Sequence, residues 1–562
     1  MSHRASRAFS LALGSALLLL GTVLSPTQLL GAFGAGATPP AAAVHHGALL
    51  FKAALAVLGL CIAALAALPA SAAAGSAPVQ PAAARQRWAT GALSLILLTA
   101  GLLYLHRLDD GLWFDEIVTY FHYARLPFGQ ILLIYDDQNQ HILYSLLAHA
   151  AFVAFGEGAW ALRLPAVLFA LGSVWALFML GRLVSNTVEA LLASALMAFS
   201  YQLVWFSQNA RGYTGLLFLT LLSSWLFLRG LREARRRLWL LYAGSVALGM
   251  YIHMTMLFVV AGHFLMYVLA CATQRPRAWR QRWDVLLCGF GLSGLLTFQL
   301  YALVVPQVLN AFAQAKVLGH PWTQPAWAVL EFARGLQMSL SATGVVLAAL
   351  AVFAAGLWSF ARTDPAVVQL LLLPTLICAV VKFGMGHHLW PRSFFFAFGF
   401  IVLVVIRGAT VFGQMVAARL GLRTKAGEVL GTVLSLAVIL VSARSIPFAY
   451  GPKQDFAGAL AFVQARRAPA DALVTVGLAA LAYRTMYPAA AQEVKSVAAL
   501  AAVRAAAPQT WLLYTLAFEL QDADPELWAT IERDFVVEKQ FPGTLGGGAV
   551  FVCRSDHALP GS

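Results

Sequence analysis

Charge is scarce in this chain. Of its 562 residues only 11% are Asp, Glu, Lys or Arg, while 60% are hydrophobic; a soluble globular domain is about a quarter charged. That scarcity excludes an ordinary soluble enzyme. Repeated apolar runs, each long enough to cross roughly 30 Å of hydrocarbon, make the chain a polytopic α-helical membrane protein. Cysteine is also rare, with five residues in all. Cys61, Cys271, Cys288 and Cys378 fall in apolar stretches and Cys553 stands alone near the C-terminus. Their spacing gives neither a zinc site nor a disulfide framework, so they read as packing residues. No convincing internal repeat is present, which weighs against the repeat-built transporter folds. Acidic residues are the scarcer sign, leaving a net charge of +14. In a membrane protein such an excess belongs to cytoplasmic loops and anionic headgroups, and no nucleic-acid partner is implied.

What is there falls into three parts. Residues 1–86 hold two apolar runs behind a basic flank, read as an uncleaved N-terminal hairpin, and an Ala/Pro-rich linker ending in Arg85. Residues 87–447 form the main membrane body; with the hairpin the apolar segments give about 13 to 15 transmembrane helices. Residues 448–562 change texture. "QDFAGALAFVQARRAPADALVTVGLAALAYRTMY" reads helix, strand, helix, "TWLLYTLA" and "GGAVFVCRS" read as strands, and "DPELWATIERDF" reads as a helix. This is a small α/β domain. It carries no GxGxxG, phosphate-binding loop or catalytic triad, and "GTLGGG" reads as a hairpin turn. The basic loops "LREARRR", "QRPRAWRQR" and "ARLGLRTK" should face the cytoplasm, which puts the N-terminus inside and the C-terminal domain outside. One parity conflict follows. Counting spans from residue 141 to "LREARRR" requires either an extra short crossing or one segment that dips without crossing.

Against this background the loop 107–141 is unusual. It carries Asp115 and Glu116 at one end and Asp136 and Asp137 at the other, with His141 at the entry to the next span. Trp113 and Phe114 suit the aromatic belt at a bilayer surface. The apolar spacing from Glu116 to Ile134, interrupted by Pro127, predicts two short amphipathic helices lying on the membrane. Solvated loop acids are the plain alternative. An adjacent Asp–Glu at a helix end, with a second acidic pair and a His nearby, fits a general base or oxygen ligands for a divalent cation. Asp115, Glu116 and Asp137 are the candidates for a Mg or Mn site, and no cofactor is fixed by the sequence.

"LWFDE", "NQHILYSLL", "FGEGAWALRLPAVLFALGSVWALFMLGRLV", "FSQNARGY" and "WPRSFFFAF" resemble the bacterial membrane glycosyltransferases of family 39. These belong to the GT-C fold group and are related to protein O-mannosyltransferases and the lipid A aminoarabinose transferase. The resemblance covers residues 88–450 and is strongest from Leu112 to Tyr213. It departs from the family at "HILY", where many relatives have Pro-Pro before the Leu-Tyr, and in the N-terminal hairpin. It implies a GT-C-like membrane body that moves a sugar from a polyprenyl-phosphate donor to an extracytoplasmic acceptor, whether lipid, glycan or protein. It also implies an essential acid at Asp115 and a location in the bacterial cytoplasmic membrane.

That chemistry needs positive charge for a departing polyprenyl phosphate and a base for the attacking hydroxyl or amine. Displacement from the face opposite the phosphate inverts the anomeric centre. Arg suits the leaving group because its planar fork binds phosphate through two hydrogen bonds. The expected catalytic residues are Asp115 and Glu116. The expected substrate-binding residues are Asp136, Asp137, His141, Arg163, Arg211, Tyr213, His253 and Arg392. Headgroup-anchoring Arg, a belt Tyr and a satisfied buried His are the bland readings of the last five. Lys316, Lys382, His387 and His388 are secondary candidates. A transporter or flippase would place ionisable groups deep in its spans, and a non-catalytic envelope assembly protein would make no demand on Asp115.

Overall fold

The computed structural model describes residues 3–34, 42–67, 83–233, 235–273, 283–313, 343–386, 389–488 and 491–555. Most of the Ala/Pro-rich linker, the "QRPRAWRQR" loop, Lys316, the "GHPWTQPAW" stretch, His387 and His388 lie outside the described residues. The chain divides into two compact units. One comprises residues 1–106, 123–156 and 161–446; the other comprises 107–122, 157–160 and 447–562. The acidic loop is therefore shared, its Asp115–Glu116 end belonging to one unit and its Asp136–Asp137 end to the other.

In the larger unit, nine helices among the described residues are long and apolar enough to cross a bilayer, or eleven when two bent pairs each count as one span. Each bend is written into the sequence. The first pair turns by 111° at Ser25–Pro26, where the Ser25 hydroxyl accepts from Gln28 N (3.1 Å) and the Gln28 side chain accepts from Ser25 N (2.9 Å). This reciprocal cap, with Pro26 at the first helical position, stops one helix and starts another. The N-terminal hairpin closes on small residues: a Cβ on Gly59 would lie 2.5 Å from Gly14 O, so only glycine permits that backbone approach. The hairpin packs through Leu29, Leu30 and Ala48 against Leu133 and Leu303.

The second pair, Thr187–Ala198 and Tyr201–Ser207, bends by 58° where Ser200 caps the new helix through Leu203 N (3.2 Å). The bend delivers Gln208 to the end of the Ala83–Leu105 helix, where its amide donates to the carbonyls of Tyr104 (3.3 Å) and His106. Carbonyls at a helix C-terminus have no partner within the helix. Gln208 supplies one and so fixes the start of Asn209–Arg211.

The parity conflict turns on Ile142–Phe155, a shorter apolar helix. This apolar helix has 14 residues, about 21 Å at 1.5 Å per residue, short of a bilayer. Just beyond it, Glu157 accepts from Tyr120 OH (2.7 Å) and Trp160 N donates to Asp109 (3.3 Å). The helix thus leaves the acidic loop and comes back to it. Ala159–Val184, the bent pair and Tyr213–Glu233 follow it along the chain.

An ion pair ties three of the spanning helices. Asn186 caps Thr187–Ala198 through Val188 N and Glu189 N (both 3.0 Å). Glu189, so placed, receives Arg407 Nη1 (3.1 Å) from Phe398–Arg419 and also the Ser185 hydroxyl. Arg407 Nε donates to Ser359 (3.0 Å) on Thr343–Thr363.

The smaller unit holds a five-stranded sheet of order β2-β1-β3-β5-β4, with β1 Ala472–Thr475, β2 Gln492–Glu493, β3 Thr510–Thr515, β4 Phe535–Phe541 and β5 Val550–Ser555. β2, β1 and β3 are parallel, and β5 and β4 join them antiparallel. "GTLGGG" is the hairpin connection between β4 and β5, with Gly547 at φ +71, a conformation that glycine adopts without steric cost. β4 begins at Phe535, the last residue of the "DPELWATIERDF" stretch; the helix itself stops at Asp534. The sheet buries Val474, Leu512, Tyr514 and Cys553 against Leu500, Leu527 and Ile531.

Removing one partner of the Glu189–Arg407 pair leaves an uncompensated charge among the helices. Glu189→Ala is expected to cost about 3 kcal/mol, and Glu189→Leu with Arg407→Met to recover most of it. Thermal melting of the detergent-solubilised protein, read by size-exclusion retention, checks both.

Candidate functional site

In the smaller unit, Trp113 is extended and Phe114–Val118 forms a five-residue helix that continues as a π-helical turn over Thr119–Ala124. Such turns occur often at functional sites. Glu116 is fully buried, and its Oε2 accepts from Trp113 N (3.4 Å). Its carboxylate thus turns back on the start of its own helix. Asp115 is half-buried, and its backbone carbonyl accepts from the Thr119 hydroxyl (2.9 Å). Leu112, Trp113, Ile117 and Val118 are buried, so the two acids stand on a packed element. The helix packs against Ala479–Met486.

The other candidates lie in the larger unit. Pro127 ends the first loop helix and caps the second, Phe128–Ile131. Tyr135, Ile131, Ile142 and Leu146 then bury against Tyr251, Tyr301 and Val304. The chain between is clamped by Gln307, which accepts from Tyr135 N and donates to Leu133 O, each at 2.7 Å. Asp136 and Asp137 are exposed at the end of this stretch. Asp137 Oδ1 accepts from Tyr123 OH (3.0 Å) and from Asn139 N (2.7 Å). Burial and the Asp137 charge push the Tyr123 phenol well above its ordinary range, so it stays a donor.

Next along the chain, Asn139 O accepts from Arg211 Nη1 (2.7 Å), and Arg211 is only 4% exposed. Gln140 Oε1 accepts from Ser145 (2.8 Å), and His141 Nδ1 lies 2.9 Å from Ile252 O. A carbonyl can only accept, so His141 carries its proton on Nδ1 and presents a lone pair on Nε2. His141 Nε2 and Gln140 Nε2 are buried with no hydrogen-bond partner among the described residues. The His141 ring lies 4.7 Å from that of His253 and 6.0 Å from that of Tyr213. His253 Nδ1 accepts from Thr255 N (3.2 Å). Burial first, then the positive charges of Arg211 and its neighbours, hold both imidazoles neutral; the His253 pKa falls to about 3.

Arg392 stacks on Trp390 at 5.1 Å, and Lys382 donates to Ser393 (2.9 Å) beside it. Both cations act on His253, and Arg392 on His141 as well. The larger unit thus gathers Asp137, His141, Arg211, Tyr213, His253 and Arg392. Arg163 is buried in the first turns of Ala159–Val184, next to Leu162, whose carbonyl receives Tyr144 OH (2.8 Å). Sequence reasoning passed over Tyr123, Asn139, Gln140 and Gln307, because neutral hydrogen-bonding groups stand out neither by charge nor by period. Among the described residues no group of three His, Cys, Asp or Glu side chains is placed to hold a metal ion.

Residues 140–301 match the family described as dolichyl-phosphate-mannose-protein mannosyltransferase. A search of curated proteins finds none that matches. Solved structures that resemble the chain include ArnT from Cupriavidus metallidurans in the apo state, at 13% identity and a TM-score of 0.46, covering 84% of this chain and 99% of that one. The Archaeoglobus fulgidus oligosaccharyltransferase in complex with Zn and sulfate is 12% identical with a TM-score of 0.45, over 81% and 72% of the two chains. Arabinosyltransferase EmbB from Mycobacterium smegmatis is 13% identical with a TM-score of 0.41, over 72% and 43%. Over residues 140–301 the membrane body is thus similar to the dolichyl-phosphate-mannose-protein mannosyltransferase family.

Proposed function

We propose that the chain is an integral membrane glycosyltransferase of the bacterial cytoplasmic membrane, acting on the outer face with a polyprenyl-phosphate sugar as donor. The observation that carries this reading is the family match over 140–301, a segment that includes His141, Arg163, Arg211, Tyr213 and His253. The acceptor is a lipid, glycan or protein nucleophile outside the membrane. The basic loops support a cytoplasmic N-terminus and an extracytoplasmic C-terminal domain.

In this mechanism the acceptor hydroxyl attacks the anomeric carbon. The bond from that carbon to the phosphate oxygen breaks, and the polyprenyl phosphate leaves with the electron pair. The acceptor proton passes to the Asp115 carboxylate. Asp115 is assigned this role because the resemblance of "LWFDE" implies an essential acid at that position. Arg211 and Arg392 stabilise the leaving phosphate. Gln140 Nε2 and His141 Nε2 offer one donor and one acceptor to donor oxygens and hydroxyls. Asp136, exposed beside the fixed Asp137, and Arg163 complete the binding residues assigned to the donor and acceptor.

Protein in nanodiscs, given a panel of undecaprenyl-phosphate sugars, should release undecaprenyl phosphate with at least one of them. Asp115→Asn is expected to lower turnover by about 100-fold or more with little change in donor KM; unchanged turnover would remove Asp115 as the base. Arg211→Ala is expected to weaken the donor interaction by about 10- to 100-fold, the worth of a charged hydrogen bond. The neutral histidines also set a pH dependence. An unfolded His takes a proton near 6.5, whereas His253 in the fold resists it down to about 3. Its stabilising contribution is therefore present above pH 6.5 and drains away as the pH falls below that value. Melting temperatures between pH 7.5 and 4 should fall, and should fall less in His253→Gln.

A further inference from the structure

The C-terminal sheet has a feature that the transfer reaction does not explain. Its strands β2, β1 and β3 run parallel in that spatial order. The crossovers from β1 to β2 and from β2 to β3 therefore lead to opposite sides of β1. Open α/β sheets bind ligands in the crevice that such a reversal leaves beyond the carboxyl ends of the strands. In this unit the chain itself supplies an occupant. Thr515 is the last residue of β3, and its hydroxyl donates to Ala549 O (3.0 Å) and accepts from Gln454 Nε2 (2.9 Å). Gln454 Oε1 in turn accepts from Phe114 N (2.9 Å), the amide directly before Asp115. The helix that follows β1, Ala479–Met486, packs on Phe114–Val118 and is itself held by Tyr483 OH on Phe456 O (3.0 Å).

The direction of this relay is fixed. A backbone N–H can only donate, so the Gln454 oxygen faces Phe114 and its nitrogen faces Thr515. Gln454 is 4% exposed and sits on a braced segment. Asp455 caps the next helix through Gly458 N (2.8 Å), while Thr544 N and Leu545 N of the β4–β5 loop donate to Pro452 O (2.9 Å) and Lys453 O (3.3 Å). Two buried groups from distant parts of the chain thus hold the peptide that carries the proposed base.

We propose that Gln454 is a positioning residue for Asp115: the Gln454–Thr515 relay sets the start of the acidic helix, and holding that helix is the role of the C-terminal domain in the reaction. This rests on the assignment of Asp115 as base. A shift of about 1 Å in a reacting group can cost about 100-fold in rate, so an unanchored Phe114 amide should be read in kcat.

The test uses the full chain in nanodiscs with the undecaprenyl-phosphate sugar panel, alongside amide hydrogen exchange of the peptide that spans Phe114–Val118. Gln454→Leu removes both bonds. It should raise exchange in that peptide and lower kcat about 10- to 100-fold, with donor KM within twofold. Gln454→Glu keeps an acceptor for Phe114 N and should restore most of kcat and of the protection. Thr515→Val should act as a weaker Gln454→Leu, and Thr515→Ser should resemble the parent protein. Unchanged exchange in Gln454→Leu, or equal loss in Gln454→Glu, overturns the proposal; so does raised exchange with kcat intact while Asp115→Asn is inactive. If Asp115→Asn stays active, the base assignment fails, and the exchange data still report whether Gln454 holds the helix.

Discussion

Arg211 fixes much of the chemistry around it because it is a charge held out of water. Its guanidinium, 4% exposed, gives Nη1 to Asn139 O at 2.7 Å. That contact fixes the backbone next to Gln140 and His141. The same charge, with burial, denies a proton to His141 and His253. An imidazolium in this place would be a second cation competing for the same anion and paying its own desolvation. Neutral rings leave the positive charge to the guanidinium groups and contribute lone pairs and flat surfaces in its place. The arrangement suits a substrate that joins an anionic phosphate to a neutral, hydroxyl-rich ring.

The polar groups that serve this arrangement are themselves set by helix ends. Gln208 satisfies carbonyls at the end of Ala83–Leu105, and Ser200 restarts the bent span that carries it. His141 stands at the start of Ile142–Phe155, and His253 closes Arg236–Ile252. A helix terminus has unpaired backbone groups and a defined direction. A membrane protein therefore finds both polarity and rigidity there.

The spans, the hairpin turn at "GTLGGG", the main strands of the C-terminal sheet and the charged members of the Arg211 cluster were legible in the sequence. Length, hydropathy and charge act locally and leave a trace in composition. What was not legible depends on long-range pairing. Ile142–Phe155 reads as a span, and the hydrogen bonds of Glu157 and Trp160 to Tyr120 and Asp109 leave no trace in hydropathy. The contact of the Glu116 carboxylate with Trp113 N leaves no trace in charge or period. Gln140, Gln307 and Gln454 carry no net charge and sit in no periodic pattern, yet Gln307 and Gln454 are hydrogen-bonded at both ends of the amide and Gln140 at its oxygen. A sequence shows where a chain must be oily or charged; it does not show which neutral amide will meet which backbone group.

The Asp115 end of the loop belongs to the C-terminal unit, which bears on the general-base role proposed for Asp115. Its carboxylate must meet an acceptor proton in water-accessible space, so it cannot be immobilised by burial in the oily part of the chain. A surface loop satisfies the first need and fails the second, since a free loop samples many positions and a proton transfer tolerates few. Backing the loop with a sheet separates the two demands. Ile117, Trp113 and the Phe114 amide are fixed from behind by apolar packing and by Gln454, while the Asp115 side chain stays half-exposed. A small domain with its own core can supply such backing; a lone loop at a bilayer surface cannot. On the proposal made above, what the C-terminal α/β unit adds is rigidity at one peptide, delivered without taking the adjoining carboxylate out of water.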